Sequence, residues 1–300
     1  MKPADPAEHR FPPHRRASDH GTGPERAAAD RSPRPCGELR ARRLGSAGLA
    51  GIGISLACFL LTALLGPSVF QPVLPGGAGE PPFSLTAHPS PYLVIGLVAA
   101  ATALGAGGLL ACFLAVRRGW RVRALPLVAG GMLVAAAFAF MPPTGSADHL
   151  NYASYGRMAV TGHDPYATTA SDVPHDPVIG AAEEWRRTAS VYGPVATAGQ
   201  ALASWIGGDS VRLTVFVLSL ENLAAFGLTA LILYRTARDG AGRLRSALLW
   251  TCNPLVLFHL VGGGHNDVLA VPAMIAGLVL CTRAAGGPGR ALLGGVLLGA

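Results

Sequence analysis

The run Ser146-Ala147-Asp148-His149-Leu150-Asn151-Tyr152-Ala153-Ser154-Tyr155-Gly156-Arg157 gathers several groups able to do chemistry. Wound as a helix at about 100° per residue, it puts Tyr152 roughly 40° from Asp148 and Tyr155 about 20° to the other side. One carboxylate and two phenols then share a face, and Arg157 falls opposite. Such a face suits holding a sugar and removing a hydroxyl proton from it. The same residues also suit an ordinary helix start, with Asp148 as cap or first-turn acid and tyrosines at headgroup level. Both readings stand on spacing alone.

The turn Gly262-Gly263-Gly264-His265-Asn266-Asp267 is the most specific local feature. Three glycines precede three polar side chains between two short apolar runs, Leu244–Val261 and Val268–Cys281. Irregular backbone at membrane depth is tolerated where protein or a wet cavity covers it, and polar groups there usually mark a ligand path. A tight turn with Asp267 capping the next helix would explain one of the three residues. Asn253-Pro254 upstream should free a carbonyl and bend its helix.

Two further pieces are weaker. Gly162-His163-Asp164-Pro165-Tyr166 reads first as a turn with an interfacial tyrosine. Residues 167–190 are polar, with Asp172, Asp176, Glu183 and Glu184 ahead of Trp185-Arg186-Arg187. A short surface helix or an acceptor-side flap is expected there, its arginines meeting a phosphate or the nearby acids. Val191-Tyr192-Gly193-Pro194 then opens the run Val195–Ile206, too short to span and suited to lie along the interface. Glu221, near the middle of an apolar run, is read as structural, with Asn222 or Asn253 as partner.

These residues need elements to hold them, and composition says which kind. Half of the 300 residues are hydrophobic and 14% are charged, against about 25% charged in soluble domains. A polytopic, all-α membrane bundle is expected. The apolar runs are Gly45–Leu65, Tyr92–Val116, Ala124–Met141, Val211–Tyr234, the two beside the glycine turn, and the start of another at Ala291–Ala300, about seven spans. The last run stops within an apolar stretch, so the chain is expected to be incomplete at its C-terminal end. None of the five cysteines forms a CxxC pair, so neither a zinc site nor a disulfide framework is expected.

Charge sets the orientation. Residues 1–44 are expected to be a disordered basic cytoplasmic tail, followed by a membrane-embedded domain over 45–300 with an outer loop over 142–210. The tail's arginines lie among Pro, Ala and Ser with no interleaved aromatic pairs, so anionic lipid headgroups are a better partner than nucleic acid. With the tail inside, the loops 117–123 and 283–290, and 235–243 with Arg245, carry ten arginines; the opposite loops carry only Arg157, Arg186 and Arg187. That asymmetry follows the positive-inside rule and puts 142–210 and the glycine turn on the outer face.

Taken together, Asp148 through Arg157, Gly162-His163-Asp164-Pro165-Tyr166, Val191-Tyr192-Gly193-Pro194, and Asn253-Pro254 through Asp267 resemble the actinobacterial polyprenol-phosphomannose-dependent α-1,6-mannosyltransferases of the GT-C superfamily. The resemblance covers about residues 140–282. It implies a GT-C helical fold at the cytoplasmic membrane, a polyprenyl-phosphate-linked mannose donor, and a growing mannan or lipoglycan acceptor. It implies Asp148 as catalytic base. Tyr152, Tyr155, Tyr166 and Tyr192 would line sugars with Asp164, Arg157 would meet a phosphate, and His265, Asn266 and Asp267 would bind a head group. His149 and Leu150 follow Asp148, so no DxD pattern is present and no metal or other cofactor is expected. The rival readings are a polytopic transporter, against which no internal repeat is seen, and a non-catalytic assembly partner of a larger transferase.

Overall fold

A computed structural model describes residues 35–77, 79–282 and 287–299. Among these the regular structure is helical: α1 (Pro35–Leu64), α2 (Pro91–Arg117), α3 (Ala124–Ala139), α4 (Asp148–Val160), α5 (Pro194–Gly207), α6 (Val211–Thr236), α7 (Gly240–Leu249), α8 (Pro254–Val256), α9 (Asp267–Thr282) and α10 (Pro288–Gly299). A 3₁₀ turn over Ile179–Ala181 and a π-helical segment over Leu257–Gly262, continuous with α8, complete the list. The expected all-α architecture is present.

Helix α1 starts at Pro35, ahead of the tail boundary expected at residue 44. The charge-free run that set that boundary measures hydrocarbon, whereas Glu38, Arg40, Arg42 and Arg43 are good helix formers that carry the helix beyond it. Residues 1–34 of the expected tail lie outside the described residues, as do 283–286 of the expected loop 283–290.

Among the described residues, three helices are long and apolar enough to cross a membrane: Gly37–Leu64, Pro91–Arg117 and Val211–Thr236. A fourth crossing results if Gly240–Leu249 and Pro254–Gly262, bent by 47°, count as one. The expected seven are not met by length, because α3 and α9 have 16 residues each, about 24 Å against a core of roughly 30 Å. The bend falls where Asn253-Pro254 predicts it. Pro254 is the first helical residue of α8, and the Asn253 side chain accepts from the Leu255 and Val256 amides.

Small residues bring α1 against α2. A Cβ on Gly48 would lie 2.6 Å from Cys112 Sγ and 2.7 Å from the Gly108 carbonyl, so only glycine permits this crossing. The core continues through Phe59, stacked on Phe258 at 4.2 Å, and Phe138, edge-on to the same ring. These contacts pin the α8 region against α1 and α3. The glycine turn that follows is therefore carried on a packed support.

Candidate functional site

The approach from α3 to α4 is stiff. Pro142 and Pro143 cannot continue a helix, and the Thr144 amide donates to the Gly262 carbonyl at 2.8 Å. That bond ties the start of the segment 142–210 to the end of the π-helical turn. Asp148 is the first residue of α4, preceded by Ala147, whose side chain makes no cap. It is thus a first-turn acid, half-buried, where the helix dipole favours a carboxylate.

The opposing wall is the turn Gly262–Asp267. Gly264 has φ +66°, and a Cβ there would lie 3.1 Å from Pro143 Cγ and 3.6 Å from His149 Cβ. Both conformation and space call for glycine. Asn222 of α6 donates its Nδ2 to the His265 carbonyl at 3.3 Å. The His265 ring stacks on His259 with centroids 4.3 Å apart. Held this way, His265 Nδ1 lies 3.5 Å from Asp148 Oδ2, with side chains 12% and 29% exposed. Burial lowers the His265 pKa and His259 lowers it further, against the raising effects of Asp148 and Asp267. The pair is then a carboxylate beside a largely neutral imidazole.

Aromatic groups close one side. Tyr152 meets Tyr192 edge-on at 5.2 Å, with the hydroxyls 3.4 Å apart. Tyr155 lies 6.4 Å from the Tyr192 ring and donates its hydroxyl to the Thr188 carbonyl at 3.1 Å. Burial raises the Tyr152 hydroxyl far above the usual phenol range, helped by its bond to Tyr192 and by the charges of Asp148 and Asp267. Tyr155 is raised by burial as well, with Tyr192 and Asp148 adding to it. Both phenols stay protonated.

Of the other expected site residues, Arg157, Asp164 and Tyr166 sit elsewhere. Arg157 bonds Asp176 Oδ2 at 2.9 Å and the Gly208 carbonyl at 3.2 Å, and pairs with Asp209. It lies on the far face of α4 from Asp148 by helical phase, and clamps the segment around Asp176 to the α5–α6 corner. Burial would raise Asp176, but the Ile179 and Val178 amides and the Arg157 guanidinium together hold its carboxyl below the usual range. Asp164 accepts from the Tyr166 amide at 2.9 Å, and the Tyr166 hydroxyl meets Thr197 Oγ1 of α5 at 2.9 Å. That pair closes a turn. Asn266 is buried with no protein partner on Nδ2, and Asp267 is exposed at the start of α9. Residues 167–190 form turns around Ile179–Ala181 rather than a longer surface helix, and Arg186 and Arg187 make no ion pair among the described residues.

Three residues escaped the sequence reading. Asn222 holds the turn, whereas it was the expected partner of Glu221; Asn253, the other expected partner, caps α8. Glu221 Oε1 is buried with no protein hydrogen-bond partner, and its Oε2 faces Gly199 of α5. His259 lies in the π-helical segment six residues before His265, and its ring stack on His265 had no signal in the spacing. His149 gives no signal either: it is fully buried, neither ring nitrogen has a protein partner, and burial followed by the nearby His265 lowers its pKa to about 3. Among the described residues, no group of three or more His, Cys, Asp or Glu side chains could hold a metal ion.

A site of this build can be compared with known proteins. The family described as Alpha-(1->6)-mannopyranosyltransferase, N-terminal domain, matches residues 51–300. The chain belongs to this family. Alpha-(1->6)-mannopyranosyltransferase A of Corynebacterium glutamicum is 30% identical over 152 residues, 48% of this chain and 30% of the relative. Alpha-(1->6)-mannopyranosyltransferase A of Mycobacterium tuberculosis is 32% identical over 160 residues, 52% of this chain and 30% of the relative. The probable alpha-(1->6)-mannopyranosyltransferase of Mycolicibacterium smegmatis is 32% identical over 153 residues, 47% of this chain and 26% of the relative. The chain thus matches under a third of the length of these mannopyranosyltransferases. No solved structure matches it.

Proposed function

We propose that this protein transfers mannose from a polyprenyl-phosphate-linked donor to a growing mannan or lipoglycan acceptor at the outer face of the cytoplasmic membrane. Membership of the mannopyranosyltransferase family supports the sugar and the reaction class. The observation that carries the site is the meeting of Asp148 and His265 at 3.5 Å beside Tyr152 and Tyr192.

In this reading the acceptor hydroxyl loses its proton to the Asp148 carboxylate as its oxygen attacks the anomeric carbon. The bond from that carbon to the phosphate oxygen breaks, and polyprenyl phosphate leaves with the electron pair. A β-linked donor gives an α-linked product by single displacement. A positioned base contributes about 10²–10⁴-fold. Confining both lipid-linked partners to one plane lowers the entropy of their encounter. Tyr152, Tyr155 and Tyr192 offer ring faces and hydroxyls to the sugars. His265, neutral and held by Asn222, steadies the carboxylate, and Asn266, with an unpartnered amide, takes the head group with Asp267. No cofactor enters; the lipid-linked sugar is a substrate.

The arginine asymmetry supports the outward orientation. The short apolar helices α3, α9 and α10 are read as partial crossings of a GT-C bundle, which brings the count to about seven. Incubating the protein in membranes with a radiolabelled polyprenyl-phosphate mannose donor and an oligomannoside acceptor tests the reading. It predicts label in an elongated acceptor and free polyprenyl phosphate. Uptake of sugar into sealed vesicles with no glycosidic product would establish the transporter instead.

A further inference from the structure

At the other end of α3 from the Asp148 cluster lies a cavity of about 660 Å³, lined in part by Arg121, Arg123, Leu125, Tyr234, Arg243 and Leu244. With 16 residues in α3, the two sites stand about 24 Å apart along that helix. Arg121, Arg123 and Arg243 have no carboxylate partner among the described residues. Arg243 sits over the Tyr234 ring at 5.0 Å, which fixes its head beside the cavity. The one acid in the lining, Asp239, is occupied in capping α7, accepting from the Gly242 amide at 2.6 Å. The first turn of α3 adds to the positive field, because its N-cap Arg123 makes no side-chain cap and leaves amides free.

The walls are apolar, and Leu125 is 61% exposed beside the arginines. A free phosphate would gain nothing from those walls, whereas a lipid fills both halves. The location fits as well: the cavity sits where the spanning helix α6 ends, in its last turn at Tyr234, at the depth where headgroups lie. We propose that this cavity binds the phosphate headgroup of an anionic membrane phospholipid, with Arg121, Arg123 and Arg243 around the phosphate and Leu125 against the acyl chain. This site is independent of the proposed transfer reaction.

The test uses purified protein in neutral detergent, titrated with phosphatidylglycerol and, separately, with phosphatidylcholine or inorganic phosphate. Retained lipid is read by native mass spectrometry and stabilisation by thermal shift. At about fivefold per basic residue near the headgroup, R121Q/R123Q/R243Q should bind phosphatidylglycerol on the order of a hundredfold more weakly. R121Q/R123Q, which leaves the Arg243–Tyr234 stack in place, should bind roughly thirtyfold more weakly. A charge-matched control for the double variant, R186Q/R187Q, exposed at the other end of the bundle from this cavity, should bind like the unaltered protein. Equal weakening in the control, equal binding of phosphatidylcholine, or full stabilisation by inorganic phosphate alone would each overturn the assignment.

Discussion

Asp148 and His265 meet at one end of the bundle, Oδ2 to Nδ1 at 3.5 Å, although residues 161–193, α5, α6 and the bent α7–α8 unit separate them in the chain. The contact is set by the backbone on both sides, with one side-chain brace from Asn222 Nδ2. The Thr144 amide on the Gly262 carbonyl, the Asn222 amide on the His265 carbonyl and the left-handed Gly264 fix both approaches before either side chain is placed.

Gly264→Ala should therefore harm activity more than folding. The left-handed backbone costs an alanine about 1–2 kcal/mol, and the added carbon must push on Pro143. A misplacement of roughly 1 Å costs about a hundredfold in rate. Transfer rate and melting temperature measured on the same preparation check this. A variant that melts lower but transfers at the full rate would show that the turn has no positioning role.

Burial of His149 predicts an acid-sensitive fold. Its folded pKa of about 3 lies below the ordinary 6.5, so the unfolded chain takes up a proton that the folded one refuses. Stability is complete above about 6.5 and falls as the pH drops through the window towards about 3, by about 1.4 kcal/mol between pH 7.5 and 5.5. His265, lowered in the same direction, adds to the loss. His149→Leu should flatten the dependence of melting temperature on pH. An unchanged slope would mean that His149 does not cause it.

Arg157→Met separates a structural clamp from a phosphate contact. Both Arg157 and Asp176 are largely buried, at 16% and 14% exposed, and stranding the Asp176 carboxylate costs about 2 kcal/mol. Expected are a lower melting temperature and faster proteolysis within residues 161–193, with the KM for lipid donor unchanged. A raised donor KM at unchanged stability would assign the guanidinium to phosphate.

Orientation has its own check. A reporter enzyme active only outside the cytoplasm, inserted at the exposed Gly162 turn, should be active. One inserted at Gly119, between α2 and α3, should be inactive. The reverse pattern would put the Asp148 cluster on the cytoplasmic side.

The site was partly legible in the sequence. The helical phase of Asp148, Tyr152 and Tyr155, and the glycines before His265, are local signals, and local signals survive folding. Asn253-Pro254 announced the bend between α7 and α8 for the same reason. Asn222 was misassigned because a helix shows its spacing but not which neighbour it meets. Arg157 was assigned to a phosphate by resemblance, while its helical phase already pointed away from Asp148 and towards the later partners Asp176 and Asp209. The span count rested on apolar composition, which does not fix helix length: α3 and α9 are apolar along nearly their whole length yet have 16 residues each.

The central claim is that the Asp148 carboxylate takes the acceptor's proton. Its most direct test is single-turnover transfer from a radiolabelled lipid-linked mannose by Asp148→Asn protein, with melting temperature measured alongside. Removing the base while keeping the shape should slow transfer about 10²–10⁴-fold at nearly unchanged stability. Transfer at the unaltered rate by the folded variant would contradict it.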